Sequence, residues 1–422
     1  MDTTSVIRMV KAVLKNSLSS KDSRCKINSV DFICALISSF SIREGRVLSL
    51  SALRHSVIEL TQVKISRGTF WERMATQKLI GLLQTILGNL MSTLCLQLGV
   101  GTEILKLLDV RKIFMIDASS LSLPDGASKD FPAPRNNVVP AAAKIHAMYD
   151  LFGGAVKWFD ITKATTHDRK GFPPLDLLSG VLVIFDLGYW DFQLLKDMMD
   201  KNISFLSRVK TNAQIKIVKV IAGVSKTCVG LNFNCKRMQS FRGKIVEILG
   251  ELKISKSGEL FQLRVIGFWS TEDSQYHWYI TNLKISSNVI YLLYRLRWQL
   301  ELLWKSWKSF LHLDEINTSN KNIILSVILI GMCAGLISGA ISVSTLNKQS
   351  IEKQAAFSIQ KGASMFIRIG RLLFQYISKP LRGSKIKLLE MITLFEEELF
   401  DPNFNKRRSS VSQLRDEIFS LS

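Results

Sequence analysis

The chain has 422 residues, 47% of them hydrophobic and 22% charged. That is a globular composition with apolar material for more than one domain, and it excludes an intrinsically disordered protein. Charge is the anomaly: 56 Lys and Arg against 35 Asp and Glu leave a net +21, which points to a polyanionic partner, either nucleic acid or an anionic membrane surface.

The excess is concentrated. Lys201–Lys308 holds 18 basic and 6 acidic residues, and such a band is either a solvated face or the lining of a binding groove. The six cysteines show no C-x-x-C spacing, and the five histidines do not stand near them at zinc-ligand intervals. They read as reduced thiols of a cytoplasmic protein. Asp2, Arg8, Lys11 and Lys15 interrupt the first apolar stretch, which therefore does not read as a signal peptide.

Residues 1–110 read as helical, with apolar-periodic runs such as Thr85–Gly99. Leu50–Leu60 followed by a Ser66-capped Arg67–Thr76 suits a DNA-binding helix-turn-helix and suits two helices of a bundle equally. At Arg111 the pattern changes. Lys112–Met115 leads through Ile116 to Asp117 as a strand ending on a carboxylate, and Ser119–Pro140 is expected to be a loop. Strands follow at Lys144–Leu151 and Ala155–Thr162, joined by a turn at Phe152-Gly153-Gly154. Gly180–Phe185, an apolar run suited to the middle of a sheet, ends on Asp186. A helix from about Trp190 to Lys201 precedes a strand at Ser204–Val209.

From Lys210 to about Asn282 the residues alternate, as in Lys244–Leu249 and Leu260–Phe268, which predicts a β-rich basic insertion closed by a strand at Trp278–Thr281. Its candidate DNA contacts are Lys210, Lys216, Lys219, Lys236 and Arg237. Helix is expected from Ser287 to Leu313 and on to the end, with breaks near Ser378–Ser384 and Asp401–Arg408. The uncharged run within Asn322–Asn347 is long enough to cross a bilayer, but its serines and glycines and the lack of a second such span favour a buried helix and no membrane.

Three carboxylates stand out. Asp117 and Asp186 each end a strand, where open sheets present ligand sites, although a lone Asp there is often a turn residue. Glu301 lies on the helix after the insertion, where Tyr294, Arg297, Glu301 and Lys308 fall within an arc of about 60°. Leu296, Leu300, Leu303, Trp307 and Phe310 gather on the other side. The polar face is either an exposed helix with an Arg–Glu pair or a phosphodiester site, with a carboxylate for metal and cations for phosphate oxygens.

The string Tyr294-x-x-Arg297-x-x-x-Glu301-x-x-x-x-x-x-Lys308 resembles the signature around the last acidic residue of bacterial cut-and-paste DDE transposases of the insertion-sequence-four family. Asp117-Ala118-Ser119 and Phe185-Asp186-Leu187-Gly188-Tyr189 resemble its first and second acidic sites. Lys144–Asp150, Ile161-Thr162, His167-Asp168 and Tyr279–Leu283 resemble its linking segments.

The resemblance spans about Arg111 to Asp314. It implies an α/β fold with a ribonuclease-H-like catalytic core interrupted by a β-rich insertion and flanked by helical regions. The implied segments are a DNA-binding region at 1–110, core at 111–209 and 283–346, the insertion at 210–282, and a C-terminal region at 347–422 suited to dimerisation. It further implies Asp117, Asp186 and Glu301 as catalytic metal ligands for two Mg²⁺ ions, which Mn²⁺ can replace. Tyr294, Arg297 and Lys308 are then contacts to double-stranded DNA, with terminal inverted repeats and target DNA as partners of a synaptic homodimer. Some members form a hairpin, which calls for an aromatic to stack an extruded base. Trp298, Trp304, Trp269 and Trp278 are the candidates, with packing as the alternative role of each. His146 and His167 are expected to be structural. A catalytically inactive DNA-binding relative is the competing function, against which the three intact acids speak.

Overall fold

The computed structural model describes residues 1–17, 26–41, 49–134, 139–255, 257–378, 383–400 and 408–420. Cys25 and most of the expected breaks near Ser378–Ser384 and Asp401–Arg408 lie outside the described residues. Helices α1 (Thr3–Asn16), α2 (Ser29–Ser38), α3 (Leu50–Thr61), α4 (Arg67–Met74), α5 (Gln77–Thr93) and α6 (Gly99–Leu107) come first. Strands β1 (Ile113–Leu123), β2 (Ala141–Asp150), β3 (Ala155–Lys163) and β4 (Leu182–Phe185) precede helix α7 (Phe192–Asp200). Strands β5 (Ser204–Arg208), β6 (Lys216–Ala222), β7 (Val246–Lys253), β8 (Leu260–Ser270) and β9 (Gln275–Thr281) follow. The chain ends in α8 (Ser287–Arg295), α9 (Trp298–Leu311), α10 (Lys321–Leu346), α11 (Ile351–Ala355), α12 (Ile359–Ser378), α13 (Ser384–Leu394) and α14 (Ser410–Ser420). The fold is mixed α/β, with a large sheet and helical flanks.

The chain divides into two compact units, and the first comprises Met1–Thr102, Ala118–Thr166 and Gln299–Ser409. Its helices begin on side-chain caps that accept otherwise unpaired N–H groups: Ser49 from Ala52, Ser66 from Thr69 and Thr76 from Leu79. α3 and α4 are therefore both present, with Ser66 in its expected capping role. The hairpin β2–β3 turns through Phe152-Gly153-Gly154, where Gly154 has φ +65° and Asp150 Oδ1 accepts from Gly153 N at 2.9 Å.

At the centre of this unit lies α10, the uncharged segment. It is long and apolar enough to cross a membrane, yet 83% of its most apolar stretch is buried within the protein. Its small residues explain how. Ser338 Oγ donates to Gly362 O at 2.6 Å and Ser326 Oγ to Met74 O at 3.0 Å, so the hydroxyls are satisfied in the interior. At Gly335 a Cβ would come within 2.6 Å of Trp307 Nε1, and at Gly331 within 2.6 Å of Leu313. The glycines thus allow the chain from α9 onward to pack against the α10 backbone.

The second unit comprises Glu103–Asp117, His167–Trp298 and Ser410–Ser422. Its strands lie in the order β1-β4-β5-β9-β8-β7-β6. β1, β4 and β5 are parallel, in the register Ile113↔Leu182 to Ile116↔Phe185 and Leu182↔Ser204 to Phe185↔Ser207. β9 joins β5 antiparallel, and β8, β7 and β6 continue antiparallel from it. The strands of the Lys210–Asn282 segment therefore extend this sheet.

Two local expectations are corrected. β1 continues to Leu123, so Ser119–Leu123 is strand where a loop was expected. Leu121 and Leu123 are buried while Ser120 and Ser122 are exposed, a two-residue alternation that the polar Ser residues disguised. The helix expected from Ser287 to Leu313 is divided: Leu296 N and Arg297 N bond to Leu293 O and Tyr294 O, three residues back, and α9 starts afresh at Trp298.

The α10 packing predicts that Gly335→Leu displaces the Trp307 ring and lowers unfolding stability by about 1–3 kcal/mol or more. Urea denaturation checks this, and a midpoint equal to that of the unsubstituted protein would contradict the close approach.

Candidate active site

The last rung of the β1–β4 ladder is Ile116↔Phe185, and the next residue on each strand is Asp117 and Asp186. Parallel strands in register stand about 4.8 Å apart with matched residues on one face, so this pairing alone sets the two carboxylates side by side. Arg297 confirms their common orientation. Its Nη1 lies 3.8 Å from Asp117 Oδ2 and its Nε 3.8 Å from Asp186 Oδ1. The Asp117 side chain is 16% exposed and that of Asp186 39%, so the second opens to solvent more than the first.

The divided helix explains how Arg297 arrives there. Bonds to residues three positions back wind the chain at about three residues per turn, which eclipses side chains at i and i+3. Arg297 consequently lies over Tyr294, its guanidinium carbon 5.8 Å from the ring centroid, and Tyr294 Oη donates to Asp186 Oδ1 at 3.4 Å. Burial raises the Tyr294 phenol well above its ordinary pKa, so it stays a neutral donor. Tyr279, edge-on at 4.9 Å, is pushed up to about 12 by burial as well.

Asp168 adds a third acid to this neighbourhood. Its carboxylate occupies the place that a Cβ on Gly188 would take, which accounts for the glycine of the Asp186-Leu187-Gly188-Tyr189 turn. Burial raises the Tyr189 phenol, and the charges of Asp117, Asp168 and Asp186 raise it further. The sequence marked Asp168 only as part of a resembling segment. The close approach to a glycine 20 positions on left no periodic signal.

The remaining candidates are placed as follows. Trp298, the first residue of α9, is 60% exposed. Trp304 and Trp278 are buried, and Trp269 packs edge-on against Tyr276 at 5.2 Å. Glu301 and Lys308 lie on α9 in the first unit, both half-buried, and burial lowers the Lys308 pKa. Leu296, Leu300, Leu303 and Trp307 are buried, as their periodicity predicted, and Phe310 is half-buried. Lys210 is half-buried with its ammonium 5.9 Å from the Trp190 ring centroid. Lys216 and Lys219 on β6, and Lys236 and Arg237 after it, are exposed. Both histidines have structural partners: His146 Nε2 lies 3.2 Å from Thr162 Oγ1, and His167 Nδ1 accepts from Arg169 N at 3.2 Å. The described cysteines Cys34, Cys95, Cys228, Cys235 and Cys333 are free thiols.

A network that the sequence did not flag braces the start of α8. Arg264 on β8 pairs with Glu247 on β7 at 2.9 Å and donates to Leu283 O at 3.0 Å and Ile285 O at 2.6 Å. Ser287 Oγ donates to Glu247 Oε2 at 2.7 Å. Strands β7 and β8 thereby fix the chain that carries Tyr294 and Arg297. At the far end of α8, Arg295 Nη1 donates to Gln413 Oε1 of α14 at 2.9 Å.

The donor set suits a hard divalent cation. Two adjacent carboxylates offer oxygen ligands, and Mg²⁺ commonly takes one or two of these together with water and substrate phosphate. Among the described residues no three His, Cys, Asp or Glu side chains form a metal-holding group. The carboxylate pair therefore fits such an ion only as part of its ligand shell.

The family model of the transposase DDE domain matches residues 109–334. The chain is similar to the transposase for insertion sequence element IS1151 of Clostridium perfringens, 24% identical over 248 residues that cover 49% of this chain and 51% of that one. It is also similar to the transposase for insertion sequence element IS231F of Bacillus thuringiensis subsp. israelensis, 23% identical over 272 residues, 54% of this chain and 56% of that one. The chain thus spans about half the length of the curated relatives it matches. Among solved structures, a piggyBac transposase synaptic complex with hairpin DNA matches at a TM-score of 0.48 and 11% identity, covering 96% of this chain and 86% of that one.

Burial opposes ionisation of Glu247, but hydrogen bonds from Arg264 and Ser287 outweigh it and hold its pKa below the ordinary 4.5. Its contribution to stability is therefore present above pH 4.5 and is lost as pH falls through the lowered value. Glu247→Gln is expected to flatten the acid limb of the stability curve, measured by urea unfolding from pH 7 to 3. A variant curve parallel to the parent's would contradict this.

Proposed function

The chain belongs to the family of the transposase DDE domain, and from that premise we propose that it is a DNA transposase of the insertion-sequence-four type. It would cleave the ends of its element and transfer them to target DNA. The observation that carries the reading is the in-register pair Asp117 and Asp186 held beside Arg297 and Tyr294. On this reading β1, β4 and β5 belong to a ribonuclease-H-like core at 111–209 and 283–346, the basic β-rich segment at 210–282 is an insertion in it, residues 1–110 contact DNA, and residues 347–422 pair two copies in a synaptic complex.

Asp117, Asp186 and Glu301 are the proposed metal ligands, for two Mg²⁺ ions or Mn²⁺ in their place. When bound, such ions supply an activated water or 3′-hydroxyl nucleophile and stabilise the leaving oxygen of an in-line displacement. The protein's own groups bind and orient. Arg297 is a planar cation beside two carboxylates, placed to exchange one of them for a non-bridging phosphate oxygen as DNA enters. Tyr294, kept neutral by burial, donates to Asp186 and fixes its rotamer. Lys308 adds positive charge from α9, and Trp298 offers an exposed ring for an unstacked base. Hydrolysis at the element end frees a 3′-hydroxyl. In strand transfer that oxygen bonds to a target phosphorus while the bond from the same phosphorus to its own 3′-oxygen breaks, so no bond energy is drawn from a nucleotide cofactor. Lys210, Lys216, Lys219, Lys236 and Arg237 would hold flanking duplex by charge.

Purified protein with Mg²⁺ and a duplex bearing the element's terminal inverted repeat tests the reading. Asp117→Asn, Asp186→Asn and Glu301→Gln are each expected to slow cleavage by on the order of a hundredfold or more. Cleavage at the parent rate by any of them removes that residue from the site. Replacing Lys216, Lys219, Lys236 and Arg237 by Gln together is expected to make the dependence of log affinity on log salt shallower by about 3 to 4. An unchanged slope returns the band to a solvated surface.

A further inference from the structure

In the first unit, a cleft of about 740 Å³ opens between α9, α12 and the chain around Glu398. Lys305 and Ser309 line it from α9, and Lys361, Ser364 and Arg368 line it from α12. The three cations are exposed and, among the described residues of the lining, Glu398 is the one acid, so the lining carries an excess of positive charge. On α12 the polar side chains repeat at i, i+3 and i+7, while Phe366, Ile369 and Leu373 bury the opposite face. Arg368 is held in place, its guanidinium carbon 5.3 Å from the Phe395 ring centroid.

The volume is too large for a single small anion and suits a linear one. Lys361 and Arg368 are separated along the helix axis by about 10 Å, which matches about three nucleotide steps of one strand. Hydroxyls beside the cations supply the neutral donors that phosphate and sugar oxygens also use. At about 100° per residue, Lys305 projects about 40° from Glu301, and Lys308 about 20° on the other side. The face of α9 that carries Glu301 is therefore continuous with the wall of the cleft.

We propose that this cleft is a track for the sugar-phosphate backbone of DNA, with Lys361 and Arg368 as its contacts on α12 and Lys305 as its link to the Glu301 face. The proposal rests on the reading of the chain as a DNA-cleaving transposase. It extends that reading to a second surface, distinct from the basic β-rich segment. Contact is to backbone oxygens, so recognition is independent of base sequence.

The test uses the full chain, a fluorescently labelled duplex of arbitrary sequence and anisotropy titrations between 50 and 200 mM KCl. In Lys361→Gln/Arg368→Gln the slope of log affinity against log salt is expected to be shallower by about 1.8, so that across this range the variant loses about twelvefold less affinity than the parent. Glu398→Gln removes the opposing charge and is expected to tighten binding, a gain that misfolding would not produce. A double variant with the parent's slope, or Glu398→Gln with the parent's affinity, overturns the track while leaving the transposase reading intact. A parent protein that binds no duplex at any of these salt concentrations overturns both.

Discussion

The pairing of β1 with β4 is the constraint on which the candidate site depends. A parallel ladder fixes register residue by residue, and a slip of one position would turn a side chain to the other face. With Ile116 opposite Phe185, the carboxylates that follow must emerge together. Two like charges so close repel each other, and Arg297, 3.8 Å from both Asp117 and Asp186, offsets that repulsion. The same guanidinium that steadies the pair is also the cation best suited to a phosphodiester.

Arg297 depends in turn on structure far from it in sequence. Its approach requires the tightened turn between α8 and α9, and α8 is held at its start by Arg264 and Glu247 and at its end by Gln413 of α14. The β-rich segment thus braces the helix through a partly buried ion pair as well as presenting exposed lysines. Lys216 and Lys219 pair with Glu251 and Leu249 and so share the sheet face of Glu247 and Arg264, while Ile248, Val265 and Ile280 form the opposite face and are fully buried.

In the helical unit, α10 shows how an uncharged stretch of membrane-like length becomes a core helix. Its serines donate to carbonyls at Met74 and Gly362, and its glycines admit Trp307 and Leu313 to close range. A lipid-facing helix has no need of such matched contacts on several sides.

Periodicity and motif spacing were enough to read the helical N-terminal region, the strand that contains Asp117 though not its end, the strand that leads to Asp186, the hairpin at Gly153-Gly154, the burial of α10 and the family. These features are local: each is written into a few adjacent residues whose hydrophobic pattern or turn chemistry has one stable outcome. The extension of β1 through Ser119–Leu123, the divided helix at Leu296-Arg297, the seat of Asp168 over Gly188 and the Arg264 brace were not legible. The last two depend on partners distant in the chain, of which a window of sequence carries no record, while the serines hid the alternation of β1 and the bonds three residues back at Leu296-Arg297 leave no periodic mark. Sequence by itself determined which residues were available for phosphodiester chemistry and that the protein is strongly basic. Tertiary structure decided which of them meet, because register between strands and the path of Arg297 are set by contacts that form only once the sheet is assembled.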